Sequence, residues 1–112
     1  MIHVYLDDYR PTPAGFVGAP DAAACIALID AHEIGLLSLD YDLGWGQPTG
    51  LEVAAHLVES GRYPQEIYLH TSSPSGRERM HHLLSQHAPR HVRIHNRPMP
   101  EELLLQIAAQ QG

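Results

Sequence analysis

Residues 35–60 read GLLSLDYDLGWGQPTGLEVAAHLVES, and this stretch predicts the architecture of the whole chain. Residues 35–41 are an apolar run typical of a buried central strand, and the run ends among acids. A loop rich in glycine follows, over residues 44–50. Residues 50–60 then carry apolar side chains at helical spacing: Leu51, Val53, Ala54, Leu57 and Val58. A strand, a loop and a helix in this order form the repeating unit of a parallel α/β sheet.

The same alternation of strands and helices runs along the whole chain. We predict strands at residues 2–6, 16–17, 35–41, 67–69 and 92–94, and helices at residues 22–32, 50–60, 76–87 and 100–110. Asp21 and Ser75 are the predicted N-caps of the first and third helices, since such side chains accept hydrogen bonds from free amides of a first turn. Strand–helix alternation implies parallel strands joined by crossover helices. The predicted class is therefore α/β, with a sheet of four or five parallel strands.

The first crossover is predicted to lack its helix. Residues 9–20 contain three prolines and two glycines, a composition that favours loops and turns. Twelve residues of this composition cannot supply a crossover helix and the two turns that flank it. We therefore expect at most a brief edge strand at Phe16-Val17 in this segment.

The composition of the chain restricts the class of protein. Its 112 residues form one predicted domain, residues 1–112, with room for one core. A formal net charge of −6 argues against a direct nucleic-acid surface, which needs a basic stripe. No apolar run approaches the roughly 20 residues that span a bilayer, and the start of the chain has no basic region typical of a signal peptide. Together with the single Cys25, this predicts a cytoplasmic protein with no membrane partner.

Polar motifs follow four of the predicted strands. They are Asp7-Asp8, Asp40 to Asp42, His70 to Ser73, and His95 to Arg97. Ligands of such folds bind outside the carboxyl ends of the parallel strands, where these four motifs converge. The sequence therefore predicts one ligand site at this edge of the sheet.

Three aspartates in this set predict a metal site. Asp7 and Asp8 are adjacent carboxylates that resist joint ionisation unless a cation lies between them. Asp42, after the neighbouring strand, completes the set. Mg²⁺ suits such a place, since it takes oxygen ligands and keeps several waters, and Mn²⁺ is the alternative. The competing interpretation is that Asp7 and Asp8 only cap a turn.

Three further side chains have two interpretations each. Arg10 is placed either to clamp a phosphate over the metal or to form a salt bridge with Asp8. His70 serves either as a general acid or base or as a structural group at the end of a strand. Asp40 shares a side of an ideal strand with Asp42, and it either binds the ligand or backs Asp42.

The order of these motifs resembles the receiver domains of response regulators. The resemblance rests on the Asp7-Asp8 pair, the stretch from Asp42 to Gly50-Leu-Glu-Val53, the hydroxyl residue Thr71, and Arg97-Pro98. It implies a flavodoxin-like three-layer sandwich, a metal held by the acidic pair, and a phosphoacceptor at Asp42. It also implies a cis peptide bond before Pro98. Receivers carry lysine where this chain has Arg97, and arginine grips phosphate through two parallel hydrogen bonds instead of acting as a point charge.

Three segments are similar to a narrower family, the cyclic-phosphate-processing receiver-like domains. They are LDDYRPTP at residues 6–13, SLDYDLG at residues 38–44 and HTSSPSGRERM at residues 70–80. The family's pattern has histidine where this chain has Tyr41, serine at Thr71 and asparagine at Ser73. The resemblance implies activity on cyclic phosphates.

These observations lead to one main hypothesis, a metal-dependent phosphoesterase or phosphate-binding domain that acts on a small phosphorylated or cyclic-phosphate ligand. The predicted metal ligands are Asp7, Asp8 and Asp42; the catalytic residues are Asp42, His70, Arg97 and Arg10; the substrate-binding residues are Thr71, Ser72 and Asp40. The first alternative is a signalling receiver phosphorylated on Asp42. The second is a catalytically silent interaction module with a protein partner.

Overall fold

A five-stranded parallel sheet forms the centre of the computed structural model, which describes residues 1–110. The strands are β1 (Ile2–Leu6), β2 (Val17–Ala19), β3 (Ile34–Leu39), β4 (Glu66–Leu69) and β5 (Arg93–His95). They lie in the order β2-β1-β3-β4-β5, and every neighbouring pair is parallel. The predicted α/β class is confirmed, with the larger of the two expected numbers of strands.

Four helices of the described chain follow the predicted alternation. They are α1 (Ala22–Ala31), α2 (Gly50–Ser60), α3 (Pro74–His87) and α4 (Glu101–Ala109). Asp21 caps α1 as predicted, because its carboxylate accepts a hydrogen bond from the Ala24 amide. The predicted start of α3 was wrong: Ser73 is the N-cap, and its hydroxyl accepts a hydrogen bond from the Gly76 amide. Pro74 fits the first turn of α3, where a missing amide costs no helical hydrogen bond.

The segment between β1 and β2 contains no helix over residues 7–16, as predicted. One consequence is an uneven distribution of helices over the two faces of the sheet. Apolar residues of α1, α2 and α3 pack on the face that carries Val4 and Leu6. The opposite face, which carries Tyr5, packs against α4 and Phe16. The sheet is thus the middle of three layers, and the layer on the Tyr5 face has a single helix among the described residues.

The bond between Arg97 and Pro98 is trans, since no peptide bond of the described residues is cis. The predicted cis bond is therefore wrong. The carbonyl of Arg97 accepts a hydrogen bond from the Leu69 amide at 3.0 Å, so the chain still runs beside the end of β4 at this point. A trans bond is the lower-energy form of an X–Pro peptide and is compatible with this extended path.

No helix within residues 1–110 has both the length and the apolar character needed to cross a bilayer.

Candidate functional site

Three polar side chains lie side by side where β1, β3 and β4 end: Asp7, Asp40 and His70. The strand register places them there. Leu39 pairs with Leu6 on one side and with Leu69 on the other. The next residue of each strand continues the ladder, because the Asp40 amide donates to the Leu6 carbonyl and the His70 amide donates to the Leu39 carbonyl, both at 3.0 Å. Since side chains alternate between faces, these three point away from the leucines.

Asp7 is buried and fully hydrogen-bonded. Its Oδ1 accepts from the backbone amides of Tyr9 and Arg10, at 2.8 and 2.9 Å. Its Oδ2 accepts from Nη1 of Arg10 at 2.8 Å and from Nε2 of His70 at 2.9 Å. Burial acts to raise the pKa of Asp7, but the bonds donated by Arg10, Tyr9 and His70 outweigh burial and lower it to about 2. Asp7 is therefore a carboxylate at neutral pH, and its oxygens are already occupied by donors.

His70 is a buried neutral imidazole with two hydrogen bonds. Burial lowers its pKa below the ordinary value, and the opposing effect of the hydrogen bond to Asp7 is smaller. Because the Asp7 carboxylate only accepts, Nε2 carries the proton, and Nδ1 accepts from the Ser38 hydroxyl at 2.6 Å. The ring also stacks on Tyr5, with centroids 4.3 Å apart and planes 2° from parallel. These contacts hold the imidazole in one orientation.

Arg10 joins the cluster as its cation. Its Nη1 lies 2.8 Å from Oδ2 of Asp7 and 3.3 Å from Oδ2 of Asp40. The expected alternative partner, Asp8, makes no such ion pair in the described chain. The Arg10 side chain is 39% exposed, so one side of the guanidinium faces solvent while the other contacts buried carboxylates. Arg10 thus occupies the position that a bound cation would take between Asp7 and Asp40.

An open cavity of about 470 Å³ lies directly over this cluster. It is lined by Asp8, Tyr9, Arg10, Asp40, Asp42, Gly44, Trp45 and Ser72. Three carboxylates therefore face one guanidinium. Such a surface repels anions and attracts cations.

Of the three predicted metal ligands, one lies in the buried cluster and two line the open cavity. Asp7 belongs to the buried cluster, in which Asp7, Asp40 and His70 each offer one ligand atom, all within 4.8 Å of one another. Asp8 and Asp42 are exposed and line the open cavity above that cluster. The buried Asp-Asp-His cluster could bind a metal. The sequence reasoning missed it as a set, because Asp40 lay inside the predicted strand 35–41, whereas β3 ends at Leu39.

Two glycines hold the loop that carries Asp42. Gly44 has φ +111°, a conformation that favours glycine, and its amide donates to Asp42 Oδ1 at 3.3 Å. At the end of the loop, a Cβ on Gly50 would overlap the carbonyl oxygen of Asp40. The Gly50 amide also donates to the Tyr41 carbonyl at 2.8 Å. The contacts of Gly50 bring the start of α2 against the end of β3, and they fix the path of the loop that carries Asp42.

Thr71 and Tyr41 are engaged in structural contacts. The buried Thr71 accepts a hydrogen bond from the Ser73 amide through its hydroxyl, at 3.1 Å. The Tyr41 ring lies so close to Gly76 that a Cβ there would overlap it. Of the three predicted substrate-binding residues, the cavity is reached by Ser72 and by Asp40. The role of Thr71 in substrate binding stays a prediction.

Arg97 is exposed, and it is not among the residues that line the cavity. Within residues 1–110 its side chain makes no ion pair. The structure therefore does not bring Arg97 together with Asp42, and its catalytic role stays a prediction.

A second cavity, of about 500 Å³, lies where β3 and β4 begin, at the end of the sheet opposite the acidic cavity. It is lined by residues that include Ile34 and residues 61–65. Its charged side chains include Glu33 and Arg62, and Arg62 is already engaged through a hydrogen bond to the Ile29 carbonyl at 3.0 Å. The described residues place no cluster of metal-ligating side chains there. Within residues 1–110, the cluster of metal-ligating side chains therefore lies at the carboxyl ends of the strands.

Residues 2–86 match the sequence model of the cyclic-phosphate processing receiver domain. This range covers more than half of the chain and includes Asp7, Asp40 and His70. A search of curated proteins and a search of solved structures found no match.

Proposed function

This chain belongs to the cyclic-phosphate processing receiver family, and from that premise we propose that it is a metal-dependent phosphoesterase. It binds Mg²⁺ or Mn²⁺ in the acidic cavity and processes a small phosphate ester, a cyclic phosphate, held by that cation. The observation that carries the proposal is the charge of the cavity. Asp8, Asp40 and Asp42 face a single guanidinium, and a phosphate anion is repelled from such a surface unless a cation binds first.

The side chains of the cavity fit a hard divalent cation. Mg²⁺ takes carboxylate oxygens and water and is often held by one or two carboxylates together with substrate phosphate. Asp8 and Asp42 are exposed, and Asp42 accepts one hydrogen bond, from Gly44. The oxygens of Asp7, in contrast, are saturated. We assign Asp8 and Asp42 as direct ligands, with Asp40 as the third, and Asp7 as the group that supports them.

A set of ligands formed by Asp7, Asp40 and His70 is the competing arrangement. It requires Arg10 to leave Asp40 and Nε2 of His70 to lose the proton that it donates to Asp7. Both changes remove hydrogen bonds within a buried network, which costs free energy. The open set displaces only the 3.3 Å contact between Arg10 and Asp40 and keeps the hydrogen bond between His70 and Asp7, and it is therefore our choice.

When bound, the cation neutralises charge on the phosphate oxygens and activates a water molecule. The protein's own groups then have separate roles. Arg10 donates hydrogen bonds to a phosphate oxygen from the exposed side of its guanidinium, while Asp7 holds the other side. Asp42, the exposed carboxylate, accepts a proton from the water that attacks phosphorus. One P–O bond of the cyclic ester breaks as the new one forms, and the leaving oxygen takes up that proton. His70 holds Asp7 in place through the Nε2 hydrogen bond, and Asp7 in turn holds Arg10.

A cation-dependent activity screen tests this proposal. Wild-type protein is incubated with cyclic phosphates and with linear phosphate monoesters in Mg²⁺, in Mn²⁺ and in EDTA. Ring opening to the monoester is measured for the first group, and release of inorganic phosphate for the second. We expect cation-dependent turnover of at least one cyclic ester and its loss in Asp42→Asn. Glu59→Gln is the matched control, since Glu59 is an exposed carboxylate on α2 away from the cavity. Labelling by acetyl phosphate with no ester turnover would favour a phosphoacceptor at Asp42 instead.

A further inference from the structure

Two large aromatic side chains are almost fully exposed beside the acidic cavity. Tyr9 is 90% exposed and Trp45 is 99% exposed. A single exposed aromatic residue needs no explanation, but both of these line the same cavity as Asp40 and Asp42. The hydrophobic effect opposes their exposure, and aromatic rings in this setting are typical of a ligand that completes the contact.

The backbone of each aromatic residue is anchored by the same contacts that position the carboxylates. The Tyr9 amide donates to Asp7 Oδ1 at 2.8 Å. Trp45 lies in a turn closed by the hydrogen bond from the Gln47 amide to the Gly44 carbonyl, at 3.2 Å. The Gly44 amide in turn donates to Asp42 Oδ1 at 3.3 Å. Both rings are thus attached to the fixed frame of the site while their faces remain open to solvent.

We propose that Tyr9 and Trp45 form a stacking surface for a nucleobase, so that the phosphate ester bound in the cavity is that of a nucleotide. This inference rests on the proposed function and names its class of substrate. Aromatic side chains stack on any base, because every base has a π face. The carboxylates and their cation hold the phosphate, and the two rings hold the other end of the same ligand.

The negative charge of the protein limits the number of nucleotides that the site can bind. The chain has a net charge of −6 and contains no lysine, so phosphates beyond the one bound to the cation meet an acidic protein. Polynucleotide binding normally depends on a basic groove that follows the backbone. The ligand is therefore one nucleotide, either free or at the end of a strand whose other residues contribute no affinity.

Calorimetric titration in the presence of Mg²⁺ tests the inference with two ligands. Adenosine 2′,3′-cyclic phosphate carries a base, and methyl ribofuranoside 2,3-cyclic phosphate has the same phosphate and sugar without one. We expect the first to bind about tenfold more tightly or better, the size of one base stacked on an aromatic ring. Trp45→Leu and Tyr9→Leu should each remove most of this difference while leaving the affinity for the base-free ligand unchanged. Tyr9→Phe should retain it.

Trp45 is the single tryptophan of the chain, so its fluorescence reports the contact directly. The nucleotide should change the emission of wild type and of Leu105→Ala, a control variant at an exposed apolar residue of α4. The base-free ligand should leave that emission nearly unchanged. Equal affinities for the two ligands, or unchanged discrimination in both leucine variants, would overturn the stacking role while leaving cation-dependent phosphate binding intact. Failure of both ligands to bind in Mg²⁺ would remove the proposed function and the inference together.

A trinucleotide ending in the same cyclic phosphate separates the two sources of the ligand. Affinity equal to that of the mononucleotide supports recognition of a single nucleotide. Affinity more than about tenfold higher would show that further nucleotides are bound, and it would overturn the limit to one base.

Discussion

Nη1 of Arg10 lies 3.3 Å from Oδ2 of Asp40, at the base of a cavity that is otherwise acidic. The same nitrogen also contacts Asp7 at 2.8 Å. Arg10 is therefore the internal counter-ion of the two buried acidic side chains, since one nitrogen contacts both. In the proposed mechanism, a cation bound to Asp40 replaces this contact, and Arg10 is then free to bind the phosphate.

Removing the charge of Arg10 tests this role. Arg10→Gln leaves Asp7 and Asp40 side by side with no cation between them. We expect the free energy of unfolding in EDTA to fall by about 1–3 kcal/mol, less than for a fully buried pair because Arg10 is partly exposed. Saturating Mg²⁺ should recover part of the loss. Urea unfolding with and without Mg²⁺ measures both effects, with Arg90→Gln, at an exposed arginine, as the control. Equal stability of Arg10→Gln and wild type in EDTA would contradict the counter-ion role.

Cation binding should stabilise the folded protein. A ligand present at a hundred times its dissociation constant adds about 2.7 kcal/mol when it binds only the folded state. We therefore expect Mg²⁺ or Mn²⁺ to raise the melting temperature of wild type and of Glu59→Gln, and to have little effect on Asp42→Asn. His70→Gln should retain the response if the open carboxylates are the ligands. A response lost in His70→Gln but kept in Asp42→Asn would instead identify the buried cluster as the metal site.

Asp7 should make the protein sensitive to strong acid. Hydrogen bonds from Arg10, Tyr9 and His70 overcome the effect of burial and hold the folded-state pKa of Asp7 at about 2, below the ordinary value of 3.8. A depressed carboxyl pKa adds stability above the unfolded-state value, and this contribution is lost as the pH falls from about 4 toward 2. Its size is about 2 kcal/mol.

Unfolding measured across this pH range in wild type and Asp7→Asn tests the assignment. The variant should be less stable at neutral pH, with a shallower loss of stability below pH 4. Parallel pH profiles of the two proteins would contradict the assignment.

His70 should produce a second, milder dependence on pH. Burial lowers its pKa in the folded state, so the unfolded chain binds more protons as the pH falls below the ordinary value of 6.5. Stability therefore decreases as the pH falls from about 6.5 toward the lowered pKa. His70→Gln should flatten this part of the profile, and His82→Gln, at an exposed histidine of α3, should not. Identical slopes in wild type and His70→Gln between pH 7 and pH 5 would rule out His70 as the source.

Gly50 should be intolerant of any side chain. A Cβ at this position would overlap the carbonyl oxygen of Asp40, a backbone atom that cannot turn away. We expect Gly50→Ala to lower the free energy of unfolding by about 2–4 kcal/mol and to weaken the response to Mg²⁺, because Asp40 must move. Gly61→Ala is the comparison: its φ is +70° and no atom lies within 4 Å of the added carbon, so its cost is about 1 kcal/mol. A smaller loss for Gly50→Ala than for Gly61→Ala would contradict this account.

The sequence by itself determined the order of elements and the edge of the sheet at which the chemistry lies. Apolar runs that stop at acids, as in residues 2–8 and 35–42, mark both a strand and its carboxyl end. Pattern and turn chemistry act over a few residues, so they can be read from the chain alone. The missing first crossover helix followed from the prolines of residues 9–20, since proline restricts its own segment wherever that segment lies.

The tertiary structure alone decided which of these residues meet in one buried cluster and which remain exposed to solvent. Asp7, Asp40 and His70 meet because Leu39 pairs in register with Leu6 and Leu69, a relationship between strands that no local pattern specifies. The same long-range packing buries Asp7 while leaving Asp8 exposed, brings Arg10 onto Asp40, and leaves Arg97 outside the cavity with a trans bond to Pro98. Local sequence supplied the charged groups at the ends of the strands. The register of the strands selected which of them became a buried ion-paired network and which remained free to bind.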